Sequence, residues 1–124
     1  MIEAIGIDIV ETERMRKSMA RFGNRFIDRI LGPLERPVFD ARVDKATFLA
    51  GRFACKEATV KALGRYLTDR PSLSSIQIVN DSTGRPAVVF SEEVATALNG
   101  ISCLVSLSHE RNYAVGMAVC AAQK

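Results

Sequence analysis

The chain has 124 residues, 48% of them hydrophobic, and its 17 Lys and Arg against 14 Asp and Glu leave a formal charge of +3. That balance supports one core-forming domain spanning 1–124 and excludes a disordered chain. It is too mildly basic for charge alone to name a partner. No apolar run approaches the roughly 20 residues that span a bilayer, and the opening stretch with Glu3 and Asp8 lacks the basic start of a secretory signal. Cys55, Cys103 and Cys120 are odd in number and widely spaced within apolar runs, so they read as reduced thiols of a cytoplasmic protein, not as a metal cluster.

Ile2–Val10 alternates as a strand does, with Ile5, Ile7 and Ile9 on one face and Gly6, Asp8 and Val10 on the other. Aspartate is depleted in strands, and Asp8 lies two residues from a glycine that lets another backbone approach closely. Two readings stay open: a wet face solubilised by Asp8, or a functional carboxylate. Thr12 reads as the N-cap of a helix running to about Phe22. On it Met15, Met19 and Phe22 run beside Arg14, Lys17 and Arg21, and Arg25, Phe26 and Arg29 continue the mixture past Gly23-Asn24. Charged helical faces are usually just solvated. One nearly all positive, beside Met and Phe, also suits an acidic amphipathic partner. Nucleic acid is the competitor, but there is no aromatic stacking series and no base-reading motif.

Gly32-Pro33 is expected to open a short helix with Pro33 at its first position and a kink or restart near Val38, because Pro37 removes a hydrogen bond. Phe48–Gly64 reads as the central helix, with Thr47 as N-cap and Gly64 after its end. Its apolar residues spread over most of the circumference, so it is expected to be buried on most sides. Glu57 and Lys61 thread through it, either as an ordinary surface pair or as part of a site that compensates their burial. Two strands, Ile76–Val79 and Ala87–Phe90, flank a hairpin turn; Ser91 caps a short helix ending at Asn99-Gly100; strands from about Cys103 and over Tyr113–Ala121 close the chain. This order gives an α+β fold with a largely antiparallel sheet.

Gly6-Ile7-Asp8-Ile9-Val10-Glu11 with Arg14, and Phe48–Ala58 with Lys61-Ala62, resemble the two signatures of the 4′-phosphopantetheinyl transferases of the holo-acyl-carrier-protein synthase type. Asp81 with Gly84-Arg85-Pro86 and Val105–Glu110 with Tyr113-Ala114 resemble further blocks of that family, in the same order. The resemblance implies transfer of the phosphopantetheine arm of coenzyme A to a carrier-protein serine, with release of adenosine 3′,5′-bisphosphate. It assigns Asp8 and Glu57 to a magnesium ion, an arrangement that suits a hard ion completed by water and phosphate. Lys61 would balance phosphate charge, and Glu57 is the candidate proton acceptor.

Arg52 and Lys56 are either phosphate ligands or surface pairs, and Gly64, Gly84, Pro86, Ser108 and His109 are candidates for contact with coenzyme A. Arg14, Lys17, Met19, Arg21, Phe22, Arg25 and Phe26 match the family's docking surface for acidic acyl-carrier proteins, and a homotrimer with sites between subunits is implied. No nucleic acid or membrane is expected as partner. Where the family usually has Thr-Gly after Gly64, this chain has Arg65-Tyr66, which bears on the loop beside the coenzyme. Two rivals remain: a non-catalytic basic docking domain, and another Mg²⁺-dependent nucleotide enzyme on the same fold.

Overall fold

The isoleucines of the first strand face outward. In the computed structural model, which describes residues 1–123, strand β1 (Ala4–Glu11) leaves Ile5, Ile7 and Ile9 each about 60% exposed and buries Gly6 and Val10 instead. The reason is a helix laid directly on the other face. A Cβ at Gly6 would stand 1.9 Å from the Ala58 carbonyl oxygen, so only glycine permits that approach.

That helix is α4 (Lys45–Leu63), reached through α1 (Thr12–Phe22), α2 (Asn24–Ile30) and α3 (Arg36–Asp40). Thirteen of its nineteen residues are buried, which its all-round apolar character requires. Beyond it a 3₁₀ turn (Leu73–Ser75) leads into β2 (Ile76–Asn80) and β3 (Pro86–Phe90), then α5 (Glu92–Leu98), β4 (Ile101–His109) and β5 (Tyr113–Ala122). The strands form two antiparallel sheets, β1-β5-β4 and β2-β3, in place of one. One core cluster joins α4 to β2, α5 and β5 through Cys55, Leu63, Ile76, Ile78, Leu98 and Ala118. The other joins α4 to α1–α3 through Met15, Ile27, Phe39, Leu49 and Ala54.

Local chemistry corrects several expected boundaries. Asp44, not Thr47, caps α4, its carboxylate accepting from the Thr47 N–H at 3.1 Å and the Thr47 hydroxyl at 2.7 Å. Gly64 closes the helix in a right-handed conformation, with φ −57°, so no left-handed cap is used. Thr12 is the first residue of α1 rather than its cap, and its buried hydroxyl has no hydrogen-bond partner. No helix starts at Pro33. Pro37 instead falls in the first turn of α3, where its missing N–H leaves no bond unmade. The hairpin turn is held by Asp81, which accepts from Thr83 and Arg85, and Gly84 supplies the positive φ of 85°.

The cysteines also depart from the expectation of three reduced thiols. Cys103 and Cys120 are directly opposite in the β4–β5 register, 4.3 Å apart at Cα, and are joined as a disulfide. Cys55 alone is free, and burial pushes its thiol up to about 11, so it stays protonated at neutral pH. Among the described residues no helix is long and apolar enough to cross a membrane.

Candidate active site

β1 and α4 run in opposite directions across their contact. Gly6 meets Ala58 and Ala62, whereas Val10 packs in the cluster of Leu49, Ala50 and Ala54. Asp8, between them, therefore lies at the level of the Glu57 turn. The coupling is direct: Lys61, one turn on from Glu57, donates to Asp8 Oδ1 at 3.1 Å and to the Ile7 carbonyl at 2.9 Å. The two carboxylates are shielded alike, with side chains 20% and 19% exposed. Glu57 is gripped from the other side by Arg70, whose Nη2 donates to both its oxygens at 2.9 Å. Nothing in the sequence flagged Arg70, because it sits in an irregular loop before Pro71.

Two carboxylates, each partly sheltered and each drawing one cation, describe a place where negative charge needs compensation. Among the described residues no three His, Cys, Asp or Glu side chains cluster. The pair accordingly suits only a hard cation that completes its shell with oxygens from outside the protein.

A second cluster lies nearer the start of α4. Arg52, Arg42, Thr47, Asn80 and His109 border a cavity of about 460 Å³ between α4 and the end of β4. Arg52 is buried to 8% exposure, its guanidinium stacks 4.6 Å over Phe48, and its Nε has no hydrogen-bond partner. Burial holds its pKa below the usual value, partly offset by the Glu35 carboxylate. An unpartnered buried donor beside an open cavity is a standing attraction for an anion. Arg52 and Glu57 are about 140° apart around the helix, so this cavity and the carboxylates open on different sides of one chain.

Lys56 belongs to neither cluster, and its assignment to the coenzyme is corrected. It has no exposed surface. Its Nζ donates to Glu35 Oε1 at 2.5 Å, to Leu73 O at 3.1 Å and to Ile30 O. Desolvation lowers its pKa and the Glu35 carboxylate opposes that shift. The missed signal was its position: Leu49 and Leu63, seven residues to either side on the same helical face, are both at 0% exposure.

The remaining candidates are dispersed. Gly64 borders a cavity of about 300 Å³ with Lys61, Leu67 and Arg70. Gly84 and Pro86 lie at the β2–β3 hairpin, and Pro86 pairs with Asn80 of the Arg52 cavity. Ser108 pairs with Val115 on the open side of the sheet, whereas His109 falls on the α4 side, as alternation along β4 dictates, and stays exposed at the edge of the Arg52 cavity. On α1 and α2, Arg14, Lys17, Arg21, Arg25 and Phe22 are exposed, while Met19 and Phe26 are half-buried against the core. Phe22, Arg25, Phe26 and Arg29 line a cavity of about 240 Å³.

Residues 4–118 match the family model described as the 4′-phosphopantetheinyl transferase superfamily. The chain is 44% identical over 126 residues to the holo-[acyl-carrier-protein] synthase of Acidithiobacillus ferrooxidans, covering 96% of each. Its fold is similar to that of the Neisseria meningitidis holo-[acyl-carrier-protein] synthase, with a TM-score of 0.89 and 33% identity over 98% of this chain and 99% of that one. It is also similar to the Bacillus anthracis holo-(acyl-carrier-protein) synthase in complex with CoA (3′,5′-ADP), at a TM-score of 0.81 and 34% identity over 99% of both chains. With the signature residues of β1 and α4 held together as described, the chain belongs to the 4′-phosphopantetheinyl transferase superfamily and is an enzyme of its holo-[acyl-carrier-protein] synthase type.

Proposed function

We propose that residues 1–124 act as one domain that transfers the 4′-phosphopantetheine group of coenzyme A to a serine of an apo-acyl-carrier protein. Magnesium is held by Asp8 and Glu57, and adenosine 3′,5′-bisphosphate is released. The observation that carries this reading is the pair of sheltered carboxylates on β1 and α4, each neutralised by a cation. When bound, the metal draws charge from the diphosphate and orients the leaving group. Lys61, already reaching over Asp8, balances charge on a phosphate oxygen. Glu57 accepts the serine proton, directly or through a water, as the serine oxygen bonds to phosphorus and the bond to the adenosine bisphosphate breaks.

Arg52, Arg42 and His109 offer positive and donor groups to a phosphate of coenzyme A from the open cavity they border, while Gly64, Gly84, Pro86 and Ser108, which lie elsewhere on the chain, contact other parts of the coenzyme. Because that cavity and the carboxylates open on different sides of a single chain, a complete site is best formed between subunits. The exposed face of the β1-β5-β4 sheet, with Ile5, Ile7, Ile9, Leu104 and Met117, supplies the surface for a homotrimer. The basic stripe from Arg14 to Arg25, with Phe22, Met19 and Phe26, receives the acidic carrier and steers its approach. A cytoplasmic location follows from these partners and not from the thiols.

The test is to incubate the protein with apo-carrier protein, coenzyme A and Mg²⁺ and to weigh the carrier. A gain equal to one phosphopantetheine is expected, nearly abolished by Asp8→Ala or Glu57→Ala while circular dichroism is retained. No gain with several carriers would leave a basic docking domain as the better account.

A further inference from the structure

Arg70 has no part in the steps above, yet it makes the most specific polar contact at the site. Exposed ion pairs usually contribute little. This one differs on two counts: Glu57 is 19% exposed against 62% for Arg70, and both carboxylate oxygens accept from the same guanidinium, which adds charge assistance. The segment carrying Arg70 is also directed. At its start, Arg65 Nη1 donates to Glu3 O at 2.5 Å and the Tyr66 hydroxyl donates to Glu3 Oε1 at 2.9 Å. The Tyr66 and Leu67 N–H groups both bond to Leu63 O. At its end, Pro71 biases Arg70 toward extended backbone. The Arg65-Tyr66 pair thus ties the segment to the start of β1, and the segment then presents Arg70 to Glu57.

Space is available on both sides of this side chain. Arg70 lines the cavity of about 300 Å³ shared with Lys61 and Gly64, and a second of about 500 Å³ shared with Ser72, Ser75 and Ser91. Lys61 keeps the Ile7 carbonyl as a second partner if it leaves Asp8. Arg70 makes no hydrogen bond besides those to Glu57 among the described residues and is 62% exposed, so no other contact holds it back when an anion arrives.

Resting on the assignment of Glu57 to the metal, we propose that Arg70 is a positioning residue that competes with the metal for Glu57. It caps the carboxylate while the coenzyme is absent and is drawn off by the incoming diphosphate. Metal and coenzyme A then bind cooperatively: each removes an obstacle to the other, and a bare ion binds weakly.

Mn²⁺ binding, followed by electron paramagnetic resonance on the full chain, tests this with and without saturating coenzyme A. Without coenzyme, Arg70→Gln should bind Mn²⁺ about three- to tenfold more tightly than the unmodified protein, and Arg70→Lys, which keeps the charge on a shorter and more strongly hydrated group, should fall between. With coenzyme A that advantage should vanish or reverse. Equal Mn²⁺ affinity of Arg70→Gln and the unmodified protein, with Glu57→Gln weakening it, overturns the competition and leaves the metal assignment standing. An advantage that persists undiminished with coenzyme A overturns the handover. Unchanged Mn²⁺ binding in Glu57→Gln overturns the metal assignment itself and this proposal with it.

Discussion

Lys56 and Glu35 form an ion pair with no exposed surface on either side chain, their closest atoms 2.5 Å apart. The pair is fully furnished. Lys56 directs its three donors to Glu35, Ile30 O and Leu73 O, and Glu35 also accepts from the Gly32 and Ile78 N–H groups at 3.0 and 2.9 Å. It therefore pins the end of α2, the turn before α3, the 3₁₀ turn at Leu73 and the middle of β2 onto α4, in the middle of an otherwise apolar interior.

Removing one partner leaves the other buried and uncompensated. Lys56→Met or Glu35→Gln should each lower the unfolding free energy by about 3–5 kcal/mol, measured by urea denaturation. The double variant should lose less than the sum of the two, since both remove the same interaction. In whatever Lys56→Met protein remains folded, the KM for coenzyme A should be unchanged, as a structural role requires.

Gly6 should tolerate no side chain. Its Cβ would overlap the Ala58 carbonyl, so β1 must lift from α4, at a cost of about 1–3 kcal/mol or more, and carry Asp8 with it. Gly6→Ala should reduce transfer more than its fall in melting temperature explains. Gly51→Ala is the control: its Cβ meets only Leu107 Cδ1 at 3.4 Å, and replacing a helix-interior glycine should stabilise by up to about 1 kcal/mol.

The outer sheet face should govern assembly. Ile7 pairs with Met117, and both are exposed. In the homotrimer proposed above, Ile7→Lys places a charge where a second copy packs, and light scattering of the two proteins should show the trimer for the unmodified chain and the monomer for the variant. Transfer should fall with the trimer; Leu104→Lys, on the same sheet face but on β4 and away from Lys61 and Asp8, should give the same result.

Acid should loosen two turns. Hydrogen bonds from Thr47 hold Asp44 below its usual 3.8, and bonds from Thr83 do the same for Asp81. Because the folded values are the lower ones, this stabilisation is fully present above about pH 4 and is lost as pH falls through the depressed values. Asp44→Ala should cost about 1 kcal/mol at neutral pH through loss of the cap, and its stability should decline less steeply on acidification than that of the unmodified protein.

Asp8 and Glu57 stand out in the sequence because their surroundings contradict them: Asp8 in an isoleucine strand, Glu57 in a helix apolar on most sides. Their signature neighbours, Gly6 and Lys61, were legible for the same reason, since each has a residue type that the local pattern does not call for. The role of Lys56 is not readable from sequence, because a buried lysine and a phosphate-binding lysine look alike until the partner is known, and Glu35 lies 21 residues earlier. Arg70 was invisible because a loop has no period to break. The division into two sheets and the Cys103–Cys120 bond depend on register between distant strands, which alternation within one strand does not encode.

The bond between Cys103 and Cys120 closes the β4–β5 hairpin at the end opposite its turn at residues 110–112. β4 is the margin of its sheet, the place where a ribbon would ordinarily begin to peel. Fastened at both ends, it cannot fray on its own, and those of its amides that bond to β5 should exchange with solvent only when the whole hairpin opens. The surface bearing Leu104 and Met117 is thereby preset before any neighbour meets it.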